Sequence, residues 1–121
     1  MKQNISESEL EVMKVLWKSK EATSAEIIEN LKDKSEWKPK TIQTLITRLV
    51  SKDFLNVDKS NKKSYIYSAS ISEGEYKNYA SKSFLEKLYN GSINKMVLSF
   101  VKDKKLSKVE IEELKDILRD E

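Results

Sequence analysis

Two short segments of alternating polarity interrupt a chain whose apolar residues otherwise recur with helical spacing. They are "FLNVD" at 54–58 and "SYIYS" at 64–68, and the lysine-rich "KSNKK" at 59–63 joins them. Alternating segments on either side of a polar connection predict a β-hairpin. Because a hairpin of two strands is only marginally stable alone, it must pack against the helices. The residues expected to pack across the hairpin are Leu55, Val57, Tyr65 and Tyr67.

The apolar spacing before the hairpin predicts three helices, at about 7–19, 25–34 and 39–52. Each begins at residue types that favour a helix start: a capping-box pair, a Ser or Thr N-cap, and a proline in the first turn. Three helices followed by a hairpin is the order of elements in a winged helix-turn-helix. The start residues are Ser6 with Glu9, Thr23 or Ser24, and Pro39.

Helical spacing returns after the hairpin and predicts three more helices, at about 72–90, 92–103 and 107–121. Two of them begin at further capping boxes. The predicted fold is therefore mainly α with a small β-hairpin. It divides into a winged-helix domain at 1–70 and a helical region at 71–121. The capping-box residues are Ser72 with Glu75 and Ser107 with Glu110.

Apolar stripes run along these last helices, but a segment of about fifty residues is too short for a self-sufficient core. We expect the stripes to bury against a second copy of the chain, so that the protein is a homodimer. The alternative is that the last helices fold back on the winged-helix domain. The stripe residues are Tyr76, Tyr79, Phe84, Leu88, Tyr89, Ile93, Met96, Val97, Phe100, Val101, Ile111, Leu114 and Leu118.

The composition argues against an enzyme. The chain has no histidine, no cysteine and only two glycines. It therefore lacks the commonest general base, the thiolate nucleophile, the soft zinc ligands and a glycine-rich loop that could hold phosphate. Carboxylate pairs such as Glu110 and Glu113 have the spacing of ordinary solvated helix charges. We expect no catalytic residue, no metal site and no cofactor.

No feature of the sequence predicts membrane insertion or export. There is no apolar run of the about 18 residues that a membrane span needs. The N-terminal "MKQNISESEL" turns acidic at once and lacks the apolar stretch of a signal peptide. The absence of cysteine fits a reducing compartment, and we expect the protein in the cytoplasm.

The positive charge is concentrated in one part of the chain. The net charge is +3, yet residues 37–67 contain seven lysines and arginines and only two aspartates. Residues 1–36 contain six basic and eight acidic side chains, and residues 68–121 contain ten of each. All of the excess thus lies in the third helix and the hairpin, which favours a polyanionic partner. The alternative is a basic surface that is simply solvated.

The third helix has a face suited to DNA. Its four aliphatic residues fall within an arc of about 100°, and the opposite arc, here called the outer face, contains no acid. Threonine forms helices poorly, so three threonines on an exposed face are costly unless that face contacts a partner. Glutamine can bind adenine, arginine can bind guanine, and the threonine methyl can contact thymine, so we predict recognition in the major groove. The outer face comprises Lys40, Thr41, Gln43, Thr44, Thr47 and Arg48.

Lysines also lie at the N-terminus of this helix and at the predicted hairpin turn. Lys38 and Lys40 lie at the helix N-terminus, where backbone N–H groups also attract phosphate. Lys59, Lys62 and Lys63 lie at the hairpin turn, where they could contact the neighbouring DNA backbone or minor groove. The alternative for the turn is that its lysines only decorate an exposed loop.

The chain resembles the BlaI/MecI family of β-lactamase repressors along essentially its whole length. The resemblance rests on "SELEVMKVLW", "WKPKTIQTLITRL", "LYNGSINKMVLSFV" and "IEELKDIL", in that order. It implies a homodimeric winged-helix repressor that binds inverted repeats in β-lactamase or related operators. It also implies that a membrane sensor of β-lactams triggers cleavage of the repressor within the dimerisation region, which releases it from DNA.

The resemblance assigns roles to particular residues. The family is cleaved at an Asn-Phe bond within "VLNF"; here the match is "VLSF", so the bond would be Ser99–Phe100, with serine in place of asparagine. The contacts of the family with DNA fall on the third helix and on the hairpin around Asn61. The complete predicted DNA-binding set is Lys38, Pro39, Lys40, Thr41, Gln43, Thr44, Thr47, Arg48, Lys52, Asn61, Lys62 and Lys63.

A second function class remains open from the residues alone. A winged-helix adaptor could use the same basic face to bind protein or RNA. Such an adaptor would show no preference for a palindromic DNA duplex, whereas a dimeric repressor requires one.

Overall fold

A computed structural model of the chain describes residues 4–103 and 106–119, except for the side chains of 114, 115 and 117–119. This part of the chain is mostly helical and contains one small antiparallel sheet. The predicted fold class is confirmed. The elements are α1 (Glu7–Ser19), β1 (Glu21–Thr23), α2 (Ser24–Lys32), α3 (Pro39–Ser51), β2 (Leu55–Asp58), β3 (Ile66–Ala69), α4 (Glu73–Tyr89), α5 (Ile93–Lys102) and α6 (Lys108–Arg119).

The predicted helix starts form the hydrogen bonds that their spacing requires. At α1 the Glu9 N–H donates to Ser6 Oγ at 3.1 Å, and the Ser6 N–H donates to Glu9 Oε1 at 2.9 Å. The same reciprocal pairing recurs at the starts of α2, α4 and α6. Each pairing satisfies two backbone donors that a helix start otherwise leaves without partners. The pairs are Thr23 with Glu26, Ser72 with Glu75, and Ser107 with Glu110.

The sheet has three strands rather than the predicted two, in the order β1-β3-β2. Both β1 and β2 pair antiparallel with β3, with Ala22 and Val57 opposite Tyr67 on either side. The additional strand, β1, pairs with β3 and so stabilises a hairpin that would be only marginally stable alone. β1 is only three residues long and runs directly into α2. A segment of that length is too short to reveal alternating polarity, so the sequence gives no signal for it.

Tyr65 departs from the packing that the sequence predicts. Tyr67 is 8% exposed and belongs to the core, as expected, whereas Tyr65 is 37% exposed. β3 begins only at Ile66, so Tyr65 lies just before the paired part of the strand. Its side chain is therefore left at the edge of the sheet.

The core of the first half of the chain lies between α1, α2, α3 and the sheet. α3 contributes the four aliphatic residues opposite its outer face, all of them buried. A stripe of this width on an amphipathic helix fixes which side of α3 remains in solvent. The core residues are Val12, Met13, Val15, Leu16, Ala22, Ile27, Leu31, Ile42, Leu45, Ile46, Leu49, Phe54, Leu55 and Tyr67.

The chain divides into two compact units, Met1–Tyr76 and Lys77–Glu121. Tyr76 lies in the first unit, with its ring centroid 5.8 Å from that of Trp17 and 6.2 Å from that of Phe54. The Trp17 indole N–H also donates to the Ile71 carbonyl at 2.9 Å. The sequence predicts Tyr76 at a contact between two copies, but these ring contacts tie it to the winged-helix core of its own chain.

The second unit leaves its apolar side chains partly or largely in solvent. No residue of α4 or α5 is buried, within the ranges that the structure describes. Phe84 is 44% exposed and contacts Tyr89 with its ring tilted by 45°, with 5.9 Å between ring centroids. The predicted dimer residues Leu114 and Leu118 lie outside the described side chains. The large apolar residues that are most exposed in this unit are Phe84, Leu88, Ile93, Leu98, Val101 and Val109.

None of the helices in the described ranges combines the length and the hydropathy that a bilayer crossing requires.

Candidate nucleic-acid interface

α3 presents its predicted outer face to solvent. Lys40, Thr41, Thr44, Thr47 and Arg48 are exposed, and Gln43 is half-buried. Ile42 and Ile46 have no exposed surface, so the helix cannot rotate about its axis without bringing aliphatic groups into water. Rotation would lose roughly 1.5–3 kcal/mol for each such side chain. Burial therefore holds the outer face outward before any partner binds.

The N-terminus of α3 is open and positively charged. Lys38 occupies the N-cap position, makes no side-chain capping bond, and is followed by Pro39 at the start of the helix. The first turn contains no acidic residue. Uncapped N–H groups, the helix dipole and two lysines together favour an anion at this end of the helix. This geometry suits a phosphate group.

Two threonines of the outer face have their hydroxyl protons occupied. Thr44 Oγ1 donates to the Lys40 carbonyl and Thr47 Oγ1 donates to the Gln43 carbonyl, both at 3.0 Å. Phosphate oxygens only accept hydrogen bonds, and a threonine hydroxyl has a single proton to donate. A hydroxyl whose proton already goes to a helix carbonyl therefore cannot donate it to phosphate. What these side chains can offer outward is the methyl group, which suits the methyl of thymine.

The cations of the outer face are available for a partner. Among the described residues, no carboxylate forms an ion pair with Lys38, Lys40 or Arg48; ion pairs formed elsewhere include Lys14 with Glu11, Lys32 with Glu29 and Lys52 with Glu9. Arg48 can therefore direct its guanidinium toward a base edge or a phosphate without first breaking an internal contact.

Lys52 differs from the other predicted DNA-binding residues. Its ammonium donates to Glu9 Oε1 at 2.7 Å and to the Asn4 carbonyl at 3.1 Å, and its side chain is 26% exposed. It thus joins the end of α3 to the start of α1, and we leave it out of the proposed DNA contacts.

Glu9 is 1% exposed. Burial, the largest influence on its pKa, opposes ionisation, but the hydrogen bonds from Lys52 and Ser6 together outweigh it and hold the pKa of Glu9 below its ordinary value. The carboxyl therefore stays charged, and Lys52 stays committed to it.

The hairpin turn at 59–65, together with β2 and β3, is called the wing below. Asn61 Oδ1 accepts from the Lys63 N–H at 3.0 Å, and Asp58 Oδ1 accepts from the Ser60 N–H at 2.9 Å. The hydrogen bonds from Ser60 hold the pKa of Asp58 below its ordinary value. Both side chains shape the turn by bonding their own backbone two residues on. Asn61 is thus a turn-forming residue, while Lys62 and Lys63 extend from the turn and are exposed.

A cleft of about 350 Å³ separates the wing from α3 and the start of α2. Gln43 borders it on one side and Lys62 and Lys63 on the other. The structure thus brings Gln43 of the third helix and two of the predicted hairpin lysines to one concave surface. It also adds Tyr65 to that surface, a residue that the alternating pattern wrongly assigned to the inside of the hairpin.

Within the part of the chain that the structure describes, no group of three or more carboxylates could hold a metal ion. The outer face of α3 and the wing offer cations, amides and hydroxyls, which are groups that bind nucleic acid.

Comparison with known proteins identifies close relatives. A family model described as "Penicillinase repressor" matches residues 5–120. The penicillinase repressor of Bacillus licheniformis is 45% identical over 116 residues, which span 96% of this chain and 90% of that protein. The methicillin resistance regulatory protein MecI of Staphylococcus aureus strain N315 is 46% identical over 114 residues, 94% of this chain and 92% of that protein.

A solved structure agrees with the fold. The solution structure of Bacillus licheniformis BlaI, in its monomeric form in complex with the blaP half-operator, superposes with a TM-score of 0.53. The two sequences are 43% identical, and the match covers 61% of this chain and 89% of that one. From the family model and from relatives that align over nearly its whole length, the chain belongs to the penicillinase repressor family, whose members are transcriptional regulators and not enzymes.

Proposed function

We propose that this protein represses β-lactamase or related antibiotic-resistance genes by binding operator DNA with α3 and the wing. The observation that carries the proposal is the outer face of α3, which is exposed, free of acid and fixed outward by a buried aliphatic stripe. A relative 43% identical to this chain has been solved with a half-operator, which supports the same use of the fold here.

The contacts divide by chemistry. The N-terminus of α3, with Lys38 and Lys40, and the wing lysines would bind phosphate and set the register on the duplex. Gln43 and Arg48 would read base edges, and the methyl groups of Thr44 and Thr47 would contact thymine. The proposed set is Lys38, Pro39, Lys40, Thr41, Gln43, Thr44, Thr47, Arg48, Lys62 and Lys63, with Asn61 shaping the turn.

The test is binding of the full chain to a labelled duplex carrying the palindromic blaP operator, beside a scrambled duplex, at two salt concentrations. We expect tighter binding to the operator, and weakening with salt on both duplexes because bound phosphates release counterions. Equal, weak binding to both duplexes would contradict the proposal and favour the adaptor function.

Arg48 provides the sharpest arm of this test. We expect Arg48→Ala to lose about 1–3 kcal/mol on the operator and much less on scrambled DNA, since a bidentate contact to a base specifies sequence. Arg48→Lys keeps the charge and should lose most of the same selectivity. Lys18→Ala, which removes one exposed positive charge from α1, is the control. If Arg48→Ala weakens binding to both duplexes equally, Arg48 contacts phosphate and reads no base.

We further propose that the protein acts as a homodimer held together by the second unit. Apolar side chains such as Leu88, which is 64% exposed, and Ile93, which is 42% exposed, support this, because a single copy leaves them in water. Two linked winged-helix units would bind two half-sites about one DNA turn apart, roughly 34 Å or a multiple of it.

Release from DNA would follow cleavage of the Ser99–Phe100 bond, in response to a membrane sensor of β-lactams. The bond lies inside α5, and both residues are half-buried. Cleavage there would separate Phe100 and α6 from the rest of the proposed dimer surface. This chain has serine where the resemblance implies asparagine, so we expect Ser99→Asn to be cleaved faster than the natural chain in cells that carry a sensor and receive a β-lactam. Immunoblotting measures it, with Phe100→Ala as the variant expected to resist cleavage; equal rates for all three would place the cut elsewhere.

A further inference from the structure

Tyr65 borders two clefts that lie between α3 and the wing. One cleft, of about 350 Å³, also borders Gln43, Lys62 and Lys63. The other, of about 160 Å³, also borders Thr47. Tyr67 also borders both clefts but is only 8% exposed, so Tyr65 is the more accessible of the two wing tyrosines that face the outer face of α3.

The surroundings of Tyr65 are basic. The Lys59 ammonium lies 5.6 Å from the centroid of the Tyr65 ring, within the range of a cation–π contact. None of the described residues that border the two clefts is acidic. The ring thus contacts one cation, and two further lysines border the first cleft beside it, which is an arrangement that suits a polyanion.

The hydroxyl of Tyr65 is open to a partner. In the described part of the chain no hydrogen bond engages it, and the side chain is 37% exposed. A phenol hydroxyl can donate to a phosphate oxygen, as tyrosines do at protein–DNA interfaces. Unlike the hydroxyls of Thr44 and Thr47, its proton is not already committed within the protein.

We propose that Tyr65 is a DNA-backbone contact, donating its hydroxyl proton to a phosphate oxygen of the strand that runs between α3 and the wing, beside the Lys59 cation that its ring contacts. This proposal rests on the proposed operator binding. It assigns Tyr65 to positioning the protein on the duplex rather than to reading sequence.

Tyr65→Phe is the direct test, because it removes the hydroxyl and keeps the ring under Lys59. We expect binding to fall about tenfold on operator and scrambled duplexes alike, as for the loss of one hydrogen bond to a charged phosphate. The slope of log affinity against log salt should stay unchanged, since no charge is lost. Lys59→Met should also weaken binding, but should lower that slope by about 0.9 if Lys59 neutralises one phosphate.

Ser19→Ala, which deletes an exposed hydroxyl at the end of α1, is the control and should bind like the natural chain. Folding of each variant is checked by tryptophan fluorescence, since Trp17 and Trp37 both lie in the first unit. Binding by Tyr65→Phe equal to that of the natural chain would overturn the proposal, as would a loss confined to the operator. If the natural chain does not prefer the operator but Tyr65→Phe still weakens binding to both duplexes, the backbone contact stands and the repressor function fails.

Discussion

Glu9 has two structural roles. It is the third residue of α1, where it completes the capping box with Ser6, and it accepts a hydrogen bond from Lys52. One carboxylate oxygen receives both the Ser6 N–H and the lysine, while Glu9 Oε2 is buried without a hydrogen-bond partner among the described residues. A buried carboxylate is stable only while its compensating cation remains. The pair therefore couples the start of α1 to the end of the helix proposed to bind DNA.

We expect Lys52→Met to destabilise the first unit by about 3 kcal/mol at pH 7, because it leaves the Glu9 charge buried without its cation. The pKa of Glu9 is lowered in the folded protein, so its stabilising effect is present above its ordinary pKa and is lost as the pH falls through the folded pKa. The difference between the natural chain and Lys52→Met should therefore shrink toward pH 3. Urea unfolding followed by tryptophan fluorescence measures this difference.

Lys14→Met is the matched control for the Lys52 substitution. Lys14 pairs with Glu11 at 3.1 Å, but both side chains are largely in solvent. Removing an exposed pair costs between zero and about 1 kcal/mol. Equal stability of the two variants at pH 7 would mean that the Glu9–Lys52 pair is worth no more than a surface contact.

At the scale of the elements, α5 is the helix whose apolar stripe we expect to contribute most to the proposed dimer surface. Met96, Val97 and Phe100 share one side of this helix, and Leu98 projects from another and is 55% exposed. Phe100 is half-buried within its own chain. An aromatic side chain at the centre of such a stripe is the kind of residue that dominates the energy of an interface.

We expect Phe100→Ala to weaken dimerisation by about 2 kcal/mol or more, roughly thirtyfold, since it removes a large apolar surface from the contact. Leu98→Ala, off the stripe, should change it little. Sedimentation equilibrium measures the dissociation constant, and tryptophan fluorescence reports whether the first unit is intact. Dissociation constants that are the same for both variants would contradict a dimer surface built on this stripe.

At the scale of the whole molecule, the two units divide the proposed work. The first, Met1–Tyr76, contains the outer face of α3 and the wing, and the second, Lys77–Glu121, contains the exposed apolar stripes. Linking two weak DNA-binding units raises their effective concentration on a palindrome without any new DNA contact. A cut in the second unit could therefore lower operator occupancy while leaving every DNA-contacting side chain in place.

We expect the natural chain to bind a full palindromic operator at least about a hundredfold more tightly than a duplex with one half-site, by this effective-concentration gain. Phe100→Ala should lose most of that advantage yet bind the single half-site like the natural chain. Anisotropy titrations on both duplexes, at protein concentrations on either side of the dimer dissociation constant, measure it. A full preference for the palindrome in a variant shown to be monomeric would exclude this mechanism.

The sequence by itself determined the elements whose signals are local. Capping pairs such as Ser6 with Glu9 act within one turn, and the aliphatic spacing from Ile42 to Leu49 sets which side of α3 is buried. The acid-free outer face follows directly, because the buried side leaves only one side for solvent. The fold class and the candidate DNA-binding helix could therefore be predicted from residue order alone.

Only the tertiary structure decided the features that depend on residues far apart in the chain. β1 is a strand because β3 pairs with it, 45 residues along the chain at Ala22 and Tyr67. The Lys52 ammonium is bound by Glu9, which lies 43 residues earlier, and Tyr65 is left partly in solvent because β3 starts only at the next residue. Strand pairing and the burial of charge depend on contacts between residues that are distant in the sequence and meet only in the folded chain. A local sequence pattern contains no information about those contacts.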